Sequence, residues 1–181
     1  MSKNKIVDLI VDAASDKILF KLISKNKTYT NEHQNCRKNF DKFSVLIDPY
    51  SNGQLVYNFT VSASNVQSDA KIIRGNKDML WDAVWNSEVK IYSKYWLVEI
   101  EIPLNNLRYS VENTSWNFNF ERTIRRYRET YTWNYIDVTY EDVSLQKGIV
   151  KGFDNLESSL RSVSYTHLRA HETLRYLVCR L

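Results

Sequence analysis

Cysteine is scarce in this chain of 181 residues, and neither sign of charge is in large excess. The two cysteines, Cys36 and Cys179, are too few for a disulfide scaffold or a four-ligand zinc site, which leaves the redox compartment open. The net charge of +4 is too small to indicate a polycationic nucleic-acid binder. With 43% hydrophobic and 25% charged residues, the composition suits one globular domain.

Long apolar runs are also missing. Glu99 and Glu101 interrupt the most apolar stretch, Trp96 to Leu104, whereas a membrane-spanning helix needs about 20 uninterrupted apolar residues. Asp8 and Asp12 likewise break the segment that would form the apolar core of a signal peptide. We therefore expect no direct membrane insertion by a helix of this chain, and no export signal within it.

The segment from Val163 to Leu181 is unlike the rest of the chain. Its first part is similar to the translation of a transposase-type sequencing adapter, and its last part to the flow-cell primer that follows a barcode. We therefore expect residues 163–181 to be an adapter-derived artefactual tail and exclude them from the fold. This exclusion removes His167 and His171, which stand four residues apart as metal ligands on a helix often do.

Alternation of apolar and polar residues with a period of two dominates the middle of the chain and predicts β-strands. The alternating stretches are Phe43–Ile47, Tyr57–Val61, Val89–Ile91, Trp96–Ile102, Trp116–Phe120 and Tyr131–Tyr135. Between the first two, Asp48 to Gly53 contains Pro49 and an Asn-Gly pair, which indicates a hairpin turn. At least six short strands joined by turns predict an all-β fold, an antiparallel β-sandwich.

Helix is expected to be minor. Apolar residues at helical spacing predict one short helix over Asp16–Ile23, with Ser15 or Asp16 as its cap. Leu104 to Arg108, after Pro103, predicts a single helical turn, and the polar stretch from Asn26 to Phe40 predicts a loop.

Five ordered segments of the chain resemble a known family, the carbohydrate-binding module family 9-like, DOMON-type domain. This domain precedes a barrel domain of unknown function in large bacterial envelope proteins, mostly of the Bacteroidetes lineage. The matching segments are Phe43–Tyr50, Val66–Asp69, Trp81–Trp85, Trp96–Pro103 with Leu107 and Arg108, and Trp116–Arg122 with Arg125 and Arg126. The resemblance spans about Ile6 to Arg161.

The resemblance implies a domain organisation. The family begins with strands upstream of Met1, so we expect residues 1–147 to be an N-terminally truncated module, with an internal strand at Lys5–Val11. Residues 148–162 then start a linker to a missing C-terminal domain, and 163–181 are the tail. The chain is thus expected to be a metagenomic fragment of an exported protein, associated with the periplasm or the outer membrane.

The function implied by the resemblance is non-catalytic carbohydrate binding, in a protein linked to carbohydrate catabolism or glycosyl hydrolysis. The expected partners are a glycan or other polar small ligand and the missing C-terminal domain, with no nucleic acid, no cofactor and no metal. The turn Arg74–Asp78 has fewer acidic residues than the family usually carries, which argues against a cation site. The alternative is a structural or partner-docking periplasmic domain with no sugar site.

Aromatic rings on which a sugar stacks its C–H face are the candidate binding residues. Trp81 and Trp85 lie in a polar, Asn- and Asp-rich turn, and Tyr50, Asp82 and Asn76 complete the predicted site. Burial in the core is the alternative for both tryptophans. For Trp96 and Trp116, each inside an alternating strand, burial is the prediction.

Catalysis by a carboxylate pair or by a Ser-His-Asp triad has little support in the sequence. Glu99 and Glu101 project from one face of a strand, which is normally a solvated face and only occasionally a glycosidase pair. His33 is the only histidine outside the tail, so no Ser-His-Asp triad can be assembled.

Basic and aromatic residues alternate between Arg122 and Trp133, a pattern that also suits single-stranded nucleic acid. Arg122, however, follows the inward phase of Phe118 and Phe120. We therefore expect it to be buried beside a carboxylate, Asp48 or Asp82.

Overall fold

The computed structural model describes residues 7–12, 17–24, 41–137, 139, 145–153 and 156. These residues form two antiparallel sheets and no long helix. The strands are β1 Val7–Asp12, β2 Lys17–Ser24, β3 Lys42–Asp48, β4 Leu55–Ser62, β5 Gln67–Ile73, β6 Asn76–Asp78, β7 Asn86–Ile91, β8 Trp96–Pro103, β9 Ser115–Ile124, β10 Glu129–Thr132 and β11 Gly148–Lys151. Within this part of the chain, no helix is long and apolar enough to cross a membrane.

The four-stranded sheet has the order β1-β2-β8-β7, and the seven-stranded sheet has the order β10-β9-β3-β4-β5-β6, with β11 also pairing with β9. Every pairing is antiparallel. Most pairings join strands that are neighbours in sequence, and the exceptions place β8 beside β2 and both β3 and β11 beside β9. The predicted all-β antiparallel sandwich is confirmed.

The core lies between the two sheets, where alternate residues of each strand point inward. Phe20 of β2 lies 6.0 Å from Phe118 and 5.8 Å from Phe120 of β9, measured between ring centroids. Phe43 of β3 lies 5.0 Å from Trp96 of β8. Trp96 and Trp116 are fully buried, as the alternation predicted. These contacts join the two sheets across the apolar core.

The helix predicted over Asp16–Ile23 is wrong, because Lys17–Ser24 is strand β2. Its apolar residues fit a helical spacing and a period of two equally well, and pairing with β1 and β8 decides in favour of the strand. Ile18, Phe20 and Leu22 are consequently buried. The helical turn predicted after Pro103 is confirmed as a short 3-10 turn over Leu104–Asn106. The loop predicted at residues 26–40 lies outside the described residues.

The predicted hairpin between β3 and β4 is confirmed. The buried Asp48 carboxylate accepts a hydrogen bond from the backbone N–H of Gly53 over 2.7 Å. Gly53 has a φ of 70°, which a glycine adopts without the steric cost of a side chain. The turn therefore has a defined shape, which matters because it borders the site described below.

Residues 148–151, predicted to start a linker, instead form strand β11 on β9. Phe153, which follows this strand, is buried and stacks on Trp116 with ring centroids 4.2 Å apart. Gly148 lies directly beneath the Trp133 ring, so that a Cβ atom there would overlap the indole. The sandwich thus continues past residue 147, and the predicted tail at 163–181 lies outside the described residues.

Arg122 is 8% exposed and faces inward beside Phe43, as predicted. Its predicted acidic neighbours are wrong, because Asp48 closes the hairpin turn and Asp82 is exposed. Burial lowers the pKa of Arg122, and the carboxylate of Asp41 acts against that shift. Among the described residues, the Nε and Nη2 atoms of Arg122 have no hydrogen-bond partner.

Candidate ligand-binding site at one end of the sandwich

Several connecting segments meet at one end of the sandwich, which we call the loop end. They are the β3–β4 turn (49–54), the β5–β6 turn (74–75), the start of the segment 79–85 and the segment 104–114. The backbone N–H of Arg74 donates to the carbonyl of Gln54 over 2.9 Å, and the side-chain amide of Asn113 donates to the carbonyl of Pro49 over 2.6 Å. The backbone N–H of Arg108 donates to the Tyr57 hydroxyl over 2.8 Å. These bonds hold loops from distant parts of the sequence against one another.

The inner face of β5 is polar, and this polarity fixes the segment 79–85. Gln67, Asp69 and Lys71 follow the inward phase set by their β4 partners Val61, Phe59 and Tyr57. The Asp69 carboxylate accepts a hydrogen bond from the backbone N–H of Ala83 over 2.7 Å. The Gln67 side chain donates to the carbonyl of Trp85 over 3.3 Å. The segment consequently lies extended over β5, with alternate side chains pointing inward and outward.

This arrangement separates the two tryptophans that were predicted to bind sugar. Trp85 is only 6% exposed, and its ring packs edge-on against Phe59 with centroids 5.3 Å apart. It belongs to the core and presents no face to a ligand, which corrects the prediction for this residue. Trp81 is half-buried, with its ring 5.2 Å from Tyr57 and 5.7 Å from Phe59.

The other predicted site residues are exposed but lie in different places. Tyr50 lies on the β3–β4 turn, and its charge would contribute to the raised pKa of the Tyr57 phenol. Asn76 opens the edge strand β6. Asp82 alternates with the inward-facing Trp81 and Ala83 and is exposed on the outer side of its segment. Tyr50 and Trp81 are thus both neighbours of Tyr57, whereas Asp82 points away from them.

A pocket of about 430 Å³ opens at the loop end, within the size range of small-ligand sites. Its lining combines a buried phenol, an amide, two aliphatic side chains and three cations: Tyr57, Gln54, Leu55, Ile73, Lys71, Arg74 and Arg108. Trp81 borders it, because the Lys71 ammonium lies 4.7 Å from the centroid of the Trp81 ring.

The sequence did not single out the basic residues of this pocket as a site. Lys71 is one position in an alternating strand, Arg74 occupies a turn, and Arg108 follows the 3-10 turn. Only the fold brings the three together. The one local feature was Gly75, since a glycine between two strand patterns indicates a turn, but it does not indicate a binding site.

The electrostatics of the pocket follow from partial burial. Burial lowers the pKa of the Lys71 ammonium, the charge of Arg108 lowers it further, and Asp78 acts in the opposite direction. Burial also raises the pKa of the Tyr57 phenol, while the hydrogen bond from Arg108 opposes that rise. The Lys71 ammonium is thus held among aromatic rings, 5.8 Å from that of Tyr57, rather than extended into water.

A second concavity, of about 400 Å³, lies on the outer face of the four-stranded sheet. Glu99 and Glu101, the carboxylates weighed above as a glycosidase pair, line it. Lys21 pairs with Glu99 over 2.7 Å, and Lys17 pairs with Glu101 over 2.8 Å. The hydrogen bond from Lys17 lowers the pKa of Glu101, which is opposite to the raised pKa that a glycosidase acid requires. Ion pairing on a solvated face therefore accounts for these residues.

The basic and aromatic stretch near β10 is divided by the fold. Arg122 faces the core, while Tyr127, Tyr131 and Trp133 are each about half exposed. The Arg126 guanidinium lies over the ring of its neighbour Tyr127, 4.3 Å from the centroid. Only part of the predicted stretch is therefore available on the surface. In the described ranges, no group of His, Cys, Asp and Glu side chains is arranged to hold a metal ion.

Comparison with known proteins identifies the fold. No protein-family model and no curated protein matches the chain, but solved structures do. A carbohydrate-binding module family 9 protein from Caldicellulosiruptor kristjanssonii in complex with glucose matches with a TM-score of 0.58 and 15% identity, over 80% of this chain and 74% of that one. A family 9 module from the same organism in complex with cellotriose gives 0.56 and 14%, over 80% and 72%.

A protein from Bacteroides uniformis, provisionally described as carbohydrate-binding, gives a TM-score of 0.56 at 12% identity, over 76% of this chain and 73% of that one. At these identities the similarity shows the architecture alone. The chain has the fold of a carbohydrate-binding module of family 9.

Proposed function

We propose that this chain is a non-catalytic carbohydrate-binding module that holds a glycan at the loop end. One observation carries the proposal: a pocket rich in hydrogen-bond donors adjoins the half-buried indole of Trp81. The fold supports it, because solved proteins of this architecture hold glucose and cellotriose. Aromatic surface beside a few convergent polar groups is what sugar recognition requires.

In this proposal the pocket residues contact the sugar in two ways, through aromatic rings and through hydrogen bonds. The exposed part of Trp81, with Tyr50 at the rim, contacts the C–H face of a sugar ring. Gln54 and the three basic side chains hydrogen-bond to hydroxyl groups, since each carries N–H donors. Asn76 and Asp82 are proposed as peripheral contacts, and the buried Trp85 supports the segment that carries Trp81.

The parent protein is proposed to be an exported bacterial envelope protein linked to carbohydrate catabolism. A C-terminal barrel domain would follow the module, and the module would bring that protein to a glycan at the periplasm or outer membrane. This part of the proposal rests on the five segments that resemble the domain family, and the full-length gene tests it. A gene that continues into an unrelated domain contradicts it.

Titration of the folded chain with glucose and cellotriose tests the binding function. We expect quenching of tryptophan fluorescence, and we expect Trp81→Ala to weaken binding by about tenfold or more, a loss typical of a stacking ring. Trp133→Ala is the matched control. Trp133 is half exposed and follows β10, which lies at the opposite edge of the seven-stranded sheet from β5 and β6. Unchanged affinity in a folded Trp81→Ala variant would overturn the site.

A second candidate function is partner docking without a sugar site. It is favoured by two apolar side chains on the outer side of the segment 79–85: Leu80 is 95% exposed and Val84 is 83% exposed. Exposed aliphatic residues on the same side of one segment suit contact with another protein surface. This candidate predicts that no glycan in a broad panel binds, and that Leu80→Ser with Val84→Ser abolishes association with the C-terminal domain.

A further inference from the structure

We infer that the loop-end pocket selects saccharides that carry a negative charge, as a carboxylate or a sulfate group. The inference rests on the proposed function and specifies its ligand class. The solved proteins of this fold described above hold glucose and cellotriose, which are neutral sugars. The charges around this pocket indicate a different preference.

Three cationic side chains, Lys71, Arg74 and Arg108, line one pocket of about 430 Å³. In the part of the chain that the structure describes, none of the three forms an ion pair. One acid, Asp78, lies opposite Lys71 in the pairing of β5 with β6, and its carboxylate also accepts the backbone N–H of Leu80. Counted over the described residues, these three cations and one acid leave the pocket an excess of two positive charges.

The position of Lys71 distinguishes this cluster from ordinary solvated charges. Its ammonium lies 4.7 Å from the centroid of the Trp81 ring, within the range of a cation–π contact. Burial and the nearby guanidinium of Arg108 both disfavour the charged state of Lys71. An anion bound between these groups removes that repulsion, whereas a neutral hydroxyl relieves it only weakly.

Arg74 and Arg108 are positioned by the backbone. Arg74 has a φ of 49°, a left-handed conformation that turns the chain sharply between β5 and β6, and its N–H donates to Gln54. Arg108 is anchored through its N–H to the buried Tyr57 hydroxyl. Guanidinium groups match the planar, two-oxygen geometry of carboxylates and sulfates.

The outer face of the four-stranded sheet provides an internal comparison. There, Lys17 and Lys21 each lie within 2.8 Å of a glutamate oxygen, so the protein itself neutralises the cations on that face. At the loop end, the described residues include comparable cations for which no carboxylate forms an ion pair. The missing negative charge is what we assign to the ligand.

Isothermal titration of the full chain with matched sugars tests the inference. The probes are glucose, glucuronate and glucose 6-sulfate, together with inorganic sulfate. We expect glucuronate or the sulfated sugar to bind at least tenfold more tightly than glucose, the effect of one charge-assisted hydrogen bond. Salt raised from about 50 to about 500 mM should weaken the anionic sugars and leave glucose unchanged. The stronger of the two anionic sugars identifies the group.

Substitution of the two arginines tests whether the preference for anionic sugars arises in this pocket. Arg108→Gln and Arg74→Asn should each weaken binding of the anionic sugar about tenfold more than binding of glucose, because each removes a charge and a hydrogen-bond donor together; asparagine tolerates the left-handed backbone at residue 74. Lys94→Gln, an exposed lysine in the β7–β8 turn, is the control and should change nothing. Folding of each variant is checked by its melting temperature.

The results test the preference for anionic sugars separately from glycan binding itself. Equal affinity for glucose and its anionic analogues, or sulfate alone binding as tightly as the anionic sugars, overturns the inference and leaves glycan binding to be judged by the glucose titration. Absence of binding by every sugar overturns the proposed function as well. Preference for the anionic sugars that persists in both arginine variants shows that the anion lies elsewhere, and also overturns the inference.

Discussion

Replacement of Trp85 by alanine tests whether this tryptophan is a core residue, in contrast to Trp81, which borders the pocket. The Trp85 side chain is 6% exposed, packs edge-on against Phe59 and belongs to the main core cluster. A tryptophan buries about 150–250 Å², and at about 25 cal/mol per Å² the lost burial is worth about 4 kcal/mol after the methyl group of alanine is allowed for. Measured losses for such truncations fall in the same range, about 3–5 kcal/mol.

Urea unfolding followed by circular dichroism measures this loss. With a denaturant slope of about 2 kcal/mol per M for a domain of this size, the midpoint for Trp85→Ala should fall by about 2 M. Trp133→Ala is the control: its ring is 53% exposed, and we expect a loss below about 1.5 kcal/mol. If Trp85→Ala costs less than about 1 kcal/mol while glycan binding disappears, Trp85 is a binding residue, and the described packing is wrong.

Four further predictions concern stability. Gly148→Ala should destabilise the fold by about 1–3 kcal/mol, because the new methyl group overlaps the Trp133 ring, and Trp133→Ala in the same chain should recover most of the loss. Arg122→Met should leave the free energy of unfolding unchanged within about 1 kcal/mol or raise it, since Nε and Nη2 have no hydrogen-bond partner in the described part of the chain; a loss of about 3 kcal/mol would show that the guanidinium is paired. Burial raises the pKa of Glu121 above its ordinary value of 4.5. The contribution of this carboxyl group to the free energy of unfolding is therefore complete below pH 4.5 and is lost as the pH rises through the raised pKa of the folded state. Glu121→Gln should accordingly be more stable than the parent at neutral pH and equally stable below pH 4.5. Deletion of residues 163–181 should leave the melting temperature unchanged, and a large fall would refute their origin as an adapter-derived tail.

Much of the sandwich could be predicted because a two-residue period is a direct consequence of strand geometry. The alternation around Trp96 and Trp116 identified two core strands, and the same phase placed Arg122 inside. The Asn-Gly pair that ends with Gly53 identified the hairpin, since the turn requires a positive φ there. In each of these cases the signal lay within a few adjacent residues.

The errors arose where structure depends on residues that are distant in sequence. The pattern over Ile18–Ile23 suits a helix or a strand, and only pairing with β8 decides between them. Strand β11 is short and half exposed, and it exists because β9 offers it an edge. The contrast between Trp81 and Trp85 depends on two hydrogen bonds to another strand, where the Asp69 carboxylate accepts from the Ala83 N–H and the Gln67 amide donates to the Trp85 carbonyl. A pattern in one segment contains none of this information.

The site shows the same limit. The sequence singled out Trp81, which the structure places beside the pocket, but the basic groups of the pocket come from the end of β5, its turn and the segment after β8. Their approach depends on how the two sheets pack. Charges that meet only in the folded state leave no local signature.

Mapping of amide chemical shifts during a titration with cellotriose and with glucuronate tests the central claim directly, because it reports where a sugar binds. The account predicts that the largest shifts occur at Tyr57, Lys71, Arg74, Trp81 and Arg108, and that the outer face of the four-stranded sheet is unaffected. Shifts confined to the concavity lined by Glu99 and Glu101, or no shifts with either sugar, would contradict the assignment of the loop end as a glycan-binding site.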